Sequence, residues 1–187
     1  MKTSKTPIAQ PYAFDQSAEH KSADDSDLSK YLKQIAYWVG QVLFEFNRLE
    51  TALTAVIGER INGANVRGYE YVFLTGLAYA QKVELLQRIS RYQITFINPE
   101  TRQTELRKKT DDIIAELKAL GVIRNAIIHS DYYSLDRNGF IRKEIRFGES
   151  DTQEQWVKIT RDDLVENLSR ISAATRSIEE FDEEVYF

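Results

Sequence analysis

Apolar residues recur every three or four positions along three long stretches of the chain, which is the spacing typical of an amphipathic helix. The first stretch covers residues 28–62, and the second covers residues 69–94 with an irregularity at Gly76. The third follows Pro99 and ends near Ser130. Because only short loops separate the three predicted helices, we predict that they pack as antiparallel neighbours in an up-and-down helical bundle.

The spacing of apolar residues changes after the third helix. The segment YYSLDRNGFIRKEIRF alternates polar and apolar residues about Asn138-Gly139, a dipeptide typical of a tight β-hairpin turn. The segment QWVKIT predicts a third strand, and Thr160 is placed to cap a closing helix over residues 161–187. The predicted fold is therefore mainly α, with a small β-hairpin or meander inserted at about residues 132–159, before the last helix.

The chain of 187 residues is long enough for one hydrophobic core of ordinary size. Residues 1–26 are rich in Ser, Lys, Asp, Gln and Pro and show no periodicity. Such a segment cannot bury enough surface to offset the entropy lost on ordering. We therefore predict a flexible N-terminal arm over residues 1–26, followed by a single helical domain over residues 27–187.

Composition excludes several classes of protein. The chain has no cysteine, which excludes disulfides and thiolate metal sites, and its two histidines lie far apart, so a zinc site would have to rely on carboxylates. We expect a metal-free protein without a cofactor. No apolar run of about 18 residues predicts a membrane span, and the N-terminus has no apolar signal core, so a cytoplasmic protein is expected. A formal net charge of -4 means that any contact with nucleic acid must be local.

The segment GVIRNAIIHSDYY, residues 121–133, places an arginine, an asparagine and a histidine in an otherwise apolar helical stretch. On an ideal helix with Ile113 at zero, Arg124 falls at about 20°, in the middle of the apolar stripe. An unpaired guanidinium would be unfavourable there. Asn125 and His129 fall at about 120° and 160°, one turn apart on the flank of the stripe. The position of Arg124 is therefore compatible with two roles, one that stabilises the fold and one in a reaction.

Two interpretations of Arg124 follow from the residues alone. In the structural one, Arg124 pairs with a carboxylate from another helix, such as Glu50 or Glu84, and His129 caps the helix C-terminus. In the functional one, the three polar residues converge on a phosphodiester: His129 moves a proton, Arg124 stabilises charge on phosphorus, and Asn125 orients an oxygen or the histidine. Arginine suits that role because its planar fork matches phosphate oxygens.

The motif RNAIIH, near the end of the penultimate long helix, resembles the signature of HEPN domains, the higher-eukaryote and prokaryote nucleotide-binding class. That signature is Arg, then four to six residues, then His, often with Asn directly after the Arg. The segments FEFNRLETALTAVI and LTGLAYAQKVELLQRI also resemble the family's first two helices. The resemblance covers roughly residues 28–180, with the hairpin as a decoration.

The HEPN resemblance implies a metal-independent endoribonuclease, acting as a toxin or as an anti-phage or stress effector. The ribose 2′-OH would attack the adjacent phosphate, leaving a 2′,3′-cyclic phosphate and a 5′-OH. His129 would then be the general base or acid, Arg124 the phosphate ligand and Asn125 the positioning group. One alternative is a catalytically inactive HEPN-like module that binds RNA, a nucleotide or a partner protein. Another is an interaction scaffold that uses the flexible arm and the acidic tail, in which the motif is structural.

The HEPN resemblance also implies partners. Such domains typically form homodimers in which two copies of the motif line one cleft, and HEPN toxins are often regulated by an antitoxin that modifies a tyrosine two residues after the motif histidine. Here that position is Asp131, and Tyr132 follows one place later. This departure argues against that form of regulation and leaves another regulatory protein partner open.

Basic and aromatic residues suggest where RNA would bind. Lys118 on the third predicted helix and Arg142 and Lys143 on the hairpin supply positive charge, and Tyr132 and Tyr133 supply rings for stacking unpaired bases. The acidic C-terminal segment EEFDEEVYF is expected either to dock a basic partner or to fray. Further basic residues on the third predicted helix are Arg102, Arg107, Lys108 and Lys109.

Overall fold

The structure is a computed structural model, and it describes residues 25–62, 69–129, 131–132, 140–147 and 152–185. Residues 1–24 of the predicted arm, Tyr133 and the predicted turn at Asn138-Gly139 lie outside the described residues. The chain divides into two compact units. The described residues within 25–42 and 125–166 form the first unit, and those within 43–124 and 167–185 form the second. The single domain over 27–187 stays a prediction.

Helices make up most of the described chain, which confirms the predicted mainly helical character. The first, third and closing helices are confirmed to within a few residues. Within the described residues, none of the helices has an apolar stretch long enough to span a membrane. The helices are α1 (Asp25–Asn62), α2 (Tyr69–Thr75), α3 (Tyr79–Ile94), α4 (Glu100–Ile128) and α5 (Arg161–Val185).

The prediction of one continuous helix over residues 69–94 is wrong, because this stretch forms two helices. The break lies at Gly76, where the irregularity was expected, and Ala78 adopts an extended conformation (φ -66°, ψ 152°) that ends helical continuity. Gln81 Oε1 accepts the Ala78 N–H at 2.9 Å, which satisfies a donor at the start of α3. Within α2, Val72 is 70% exposed and Leu74 is 3% exposed.

Two polar contacts define the relative direction of α1 and α3 in the second unit. Lys82 Nζ donates to Glu50 Oε1 at 2.7 Å, and Arg60 Nη1 donates to Ser90 Oγ at 2.6 Å. Both contacts advance in the same sense along the two helices, so α1 and α3 run parallel. The predicted up-and-down order is therefore wrong for this pair, because a separate helix, α2, lies between them instead of one short loop.

Helix α4 runs antiparallel to α3 and α5 in the second unit. Tyr79 at the start of α3 bonds Leu117 late in α4, whereas Arg91 near the end of α3 bonds Asp111 earlier in α4. The contacts between α4 and α5 also run in opposite senses: Glu116 with Arg170, and Lys109 with Glu184.

Apolar side chains from all five helices form the core of the second unit, with Leu74 contributed by α2. Along α1 the buried residues keep the predicted spacing of three and four, which places one face of the helix inward. Full burial of each such side chain contributes about 1.5–3 kcal/mol to folding. The largest buried side chains are Phe46, Leu49, Leu53, Ile57, Leu86, Ile94, Leu106, Leu117, Leu120, Ile171 and Phe181.

Three strands lie in the first unit: β1 (Asp131–Tyr132), β2 (Phe140–Phe147) and β3 (Thr152–Ile159). They pair antiparallel in the order β1-β2-β3, with Phe140 opposite Ile159 in the longer pairing.

Thr160 joins the last strand to α5, as predicted. Asp163 Oδ2 accepts both the Thr160 N–H and its hydroxyl at 2.7 Å, and the Asp163 N–H donates back to Thr160 Oγ1 at 3.2 Å. This reciprocal cap satisfies donors that a helix leaves open at its first turn. It determines where α5 begins.

Candidate functional site

The three motif residues follow one another at the C-terminal end of α4. Arg124 and Asn125 lie inside the helix, and His129 follows its last residue. The His129 N–H donates to the Asn125 carbonyl at 3.0 Å, so the helical turn continues to the histidine. Asn125 and His129 are exposed, whereas Arg124 is half-buried. Arg124 belongs to the second unit, and Asn125 and His129 belong to the first.

Arg124 lies on the apolar stripe of α4, as the sequence predicts. Leu117 and Leu120 on the preceding turns are buried, and the guanidinium carbon of Arg124 lies 5.7 Å from the centroid of the Phe46 ring. That separation is within the range of a cation–π contact. The predicted acidic neighbour Glu50 accepts a hydrogen bond from Lys82, whose side chain is 5% exposed. Phe46 is therefore a neighbour of Arg124 that spacing within α4 could not predict.

Tyr79 lies among charged groups of the second unit. Its hydroxyl donates to the Leu117 carbonyl at 2.9 Å. Burial raises the pKa of Tyr79 well above its usual range, and the negative charges of Glu50 and Glu116 raise it further. Glu116 in turn accepts two hydrogen bonds from Arg170, at 2.8 and 2.9 Å. The phenol is thus held neutral and acts as a hydrogen-bond donor.

We expect ionisation of Tyr79 to destabilise the protein at high pH. The folded protein binds the phenolic proton more tightly than the unfolded chain, so this contribution is complete below about pH 10 and decreases as pH rises toward the folded pKa. Tyr79→Phe should therefore lose less stability than wild type between about pH 8 and pH 11 in urea unfolding. The exposed Tyr92 supplies the control, since Tyr92→Phe should follow wild type. Equal losses of unfolding free energy in wild type, Tyr79→Phe and Tyr92→Phe would contradict the expectation.

The structure places the predicted RNA-binding residues in two regions. Lys118 is exposed on α4, in the second unit. In the first unit, Tyr132 pairs with Arg142 across β1 and β2, and Asp131 pairs with Lys143. The backbone register therefore brings Tyr132, Arg142 and Lys143 to one part of the sheet. Tyr133 lies outside the described residues.

The acidic C-terminal segment binds basic residues of α4 instead of fraying. Helix α5 continues to Val185, and Glu184 bonds Lys109 and also Arg102, the latter at 3.4 Å. The hydrogen bond from Lys109 is the main cause that lowers the pKa of Glu184, and the charges of Lys109 and Arg102 add to it. Two of the cations expected to face RNA are thus engaged within the chain.

A buried ion pair, which the sequence interpretation missed, joins α1 to α5. The Arg60 side chain is 0% exposed; its Nε donates to Asp182 Oδ1 at 2.6 Å and its Nη1 donates to Ser90 Oγ at 2.6 Å. Its guanidinium carbon also lies 4.9 Å from the Phe181 ring centroid. The signal that could have revealed Arg60 is the one that revealed Arg124: each arginine interrupts an apolar stripe.

Comparisons with known proteins identify no relative of this chain. No protein-family model matches it, and neither a curated protein nor a solved structure is significantly similar to it. Within the described residues, no group of three or more His, Asp or Glu side chains is arranged to hold a metal ion. The arrangement at the end of α4 must therefore be interpreted from its own chemistry.

Proposed function

We propose that this protein is a metal-independent endoribonuclease of the HEPN type, which cleaves RNA by attack of the ribose 2′-OH on the adjacent phosphate. The observation that supports this proposal is the difference in burial at the end of α4. Arg124 is half-buried, and it is followed by the exposed residues Asn125 and His129, which lie one turn apart. An exposed imidazole is accessible to substrate. A half-buried guanidinium is partly desolvated, which strengthens its attraction for developing negative charge.

The proposed roles follow from the chemistry of transesterification. One group must take the proton from the 2′-OH and another must give a proton to the leaving 5′-oxygen, and His129 performs one of these transfers. Arg124 neutralises the charge that accumulates on the phosphoryl oxygens, for which its planar fork is suited. Asn125 holds a phosphate oxygen or orients the imidazole. The products are a 2′,3′-cyclic phosphate and a 5′-OH.

The remaining elements of the proposal concern assembly and context. We propose a HEPN-like helical bundle carrying the sheet as an insertion, and a cytoplasmic homodimer in which two copies of the motif line one cleft. RNA would contact Lys118, Tyr132, Tyr133, Arg142 and Lys143. The protein would act as a toxin or as an anti-phage or stress effector, controlled by an antitoxin or another regulatory protein.

A catalytically inactive HEPN-like module, binding RNA, a nucleotide or a partner protein, is the second candidate. The contact between Arg124 and the buried ring of Phe46 favours it, because an arginine that packs on the core stabilises the fold without any reaction. The two candidates differ in whether RNA is cut.

Product analysis tests the ribonuclease proposal directly. Purified protein incubated with single-stranded RNA in EDTA is expected to yield fragments with 2′,3′-cyclic phosphate and 5′-OH ends, identified by mass spectrometry. A matched RNA with a 2′-deoxy sugar at the cleaved nucleotide should stay intact at that position, since it lacks the nucleophile. Cleavage of the deoxy-substituted site, or activity that EDTA abolishes, would exclude this mechanism. Binding without cleavage would support the inactive module.

A further inference from the structure

We propose that Phe46 is a positioning residue for Arg124: its ring forms a fixed surface on which the guanidinium lies, so that the cation meets the scissile phosphate in one orientation. The inference rests on the proposed ribonuclease function, because the phosphate ligand is part of it. Phe46 is 1% exposed, and the Arg124 guanidinium carbon lies 5.7 Å from its ring centroid. The face of an aromatic ring carries partial negative charge that attracts a cation.

The Phe46 ring is itself held in place by Tyr79. The two ring centroids are 4.6 Å apart with a tilt of 53°. The Tyr79 hydroxyl donates to the Leu117 carbonyl of α4 at 2.9 Å, two turns before Arg124 on the same helix. Helix α4 therefore supports both the arginine and, through Tyr79, the ring on which the arginine packs.

Gly121 allows this close packing. A Cβ atom at position 121 would lie 3.0 Å from Tyr79 Cε1 and 3.2 Å from Tyr79 Cδ1, closer than ordinary van der Waals contact. Position 121 is three residues before Arg124 and lies on the same side of α4. The glycine in GVIRNAIIH thus permits the Tyr79 ring to approach the helix beside the arginine, which gives the first residue of this segment a physical role.

Restriction of Arg124 matters for the proposed reaction because its side chain has many rotamers. The guanidinium carbon lies 5.7 Å from the centroid of the ring, and the half-buried state of Arg124 leaves part of the residue accessible. A guanidinium that is already fixed before the substrate binds loses less entropy and reorganises less when negative charge develops on the phosphoryl group. Removal of the ring should therefore affect the transition state more than substrate binding.

The test compares Phe46→Leu with a conservative truncation elsewhere in the core. Ile94→Val removes one methyl group in the cluster of Ile94, Leu106 and Phe181, which lies at the other end of α3 from Tyr79. Steady-state cleavage of a defined RNA gives kcat and KM, and the NMR shifts of the Arg124 Hδ and Hε protons report whether the guanidinium still lies over a ring.

We expect Phe46→Leu to lower kcat by about tenfold or more with little change in KM, and to move the Arg124 protons downfield as the ring-current shift disappears. Ile94→Val should retain the wild-type kcat and the Arg124 shifts. Tyr79→Phe, which keeps the ring and loses only the hydroxyl, should retain most of the ring-current shift.

Three outcomes have distinct meanings. If wild type cleaves RNA but Phe46→Leu keeps both its kcat and its Arg124 shifts, the positioning role is wrong and the ribonuclease proposal stands. Equal losses of kcat in Phe46→Leu and Ile94→Val would also overturn it, since a general loss of packing would then explain the effect. If wild type cleaves no RNA, the proposed function fails, and unchanged Arg124 shifts in Phe46→Leu would overturn the contact itself.

Discussion

Replacing His129 by alanine is expected to lower RNA cleavage by about 10²–10⁴-fold, the usual contribution of a positioned proton-transfer group. His129 is exposed at the end of α4, so the substitution removes no buried contact and should leave the free energy of unfolding within about 0.5 kcal/mol of wild type. Cleavage rates and urea unfolding of the same preparations measure both quantities. Loss of activity without loss of stability would assign His129 to the reaction.

The chain contains a matched control for His129, because it has one other histidine, His20. His20→Ala should cleave RNA at the wild-type rate. Added imidazole should restore part of the activity of His129→Ala, since a free base can occupy the space left by the side chain. Wild-type rates in His129→Ala would remove this residue from the mechanism and favour the inactive binding module.

Asp182→Ala is expected to destabilise the second unit by about 3–5 kcal/mol, because it leaves the buried Arg60 guanidinium without its counter-charge. The Arg60 side chain is 0% exposed and the Asp182 side chain is 12% exposed, so the guanidinium would lose its counter-charge in a largely buried position. The free energy of unfolding from urea titration measures the effect. Since small domains have a total stability of about 5–15 kcal/mol, this loss is large.

Two comparisons isolate the buried charge as the cause. Replacing both partners, Arg60→Met with Asp182→Leu, should lose much less stability than Asp182→Ala, because no unpaired charge remains. Glu184→Ala breaks a partly exposed ion pair two residues further along α5, and its effect should also be much smaller. If Asp182→Ala and Glu184→Ala unfold at the same urea concentration, the buried pair does not have the importance assigned to it.

The contacts of Glu184 change the expected RNA surface of α4. Arg102 and Lys109 are engaged by this carboxylate, whereas Lys118 stays exposed. The acidic end of α5 therefore engages two of the cations on α4, while Arg107, Lys108 and Lys118 stay exposed.

Periodicity predicted most of the helical structure because amphipathic spacing is a local property. The bounds of α1, α4 and α5 agree with the predicted stretches, and Arg124 lies on the buried stripe of α4 as the 100° geometry requires. The split between α2 and α3 was not predicted. The apolar pattern continues across Gly76, whereas the helical conformation of the backbone ends there. Whether a glycine bends or breaks a helix depends on packing around it.

The candidate site stays a prediction, and only its position at the end of α4 could be read from the sequence. The motif residues could be found because each departs from a local pattern: a cation on an apolar stripe, followed by polar groups one turn apart. Phe46, Tyr79 and Lys82 could not be assigned to that neighbourhood, because their contacts join residues 32 or more positions apart in sequence. The same reason hid the pairing of Arg60 with Asp182, which are 122 residues apart.

By itself, the amino-acid sequence determined the helical character of the chain, the limits of its long helices, the cap at Thr160 and the position of Arg124 on the stripe, because these depend on residues within a few turns of one another. Only the tertiary structure decided which groups meet: Phe46 beside Arg124, Lys82 with Glu50, and α1 parallel to α3. Such choices depend on how helices distant in sequence share one core, where side-chain volume and buried charge must be satisfied together.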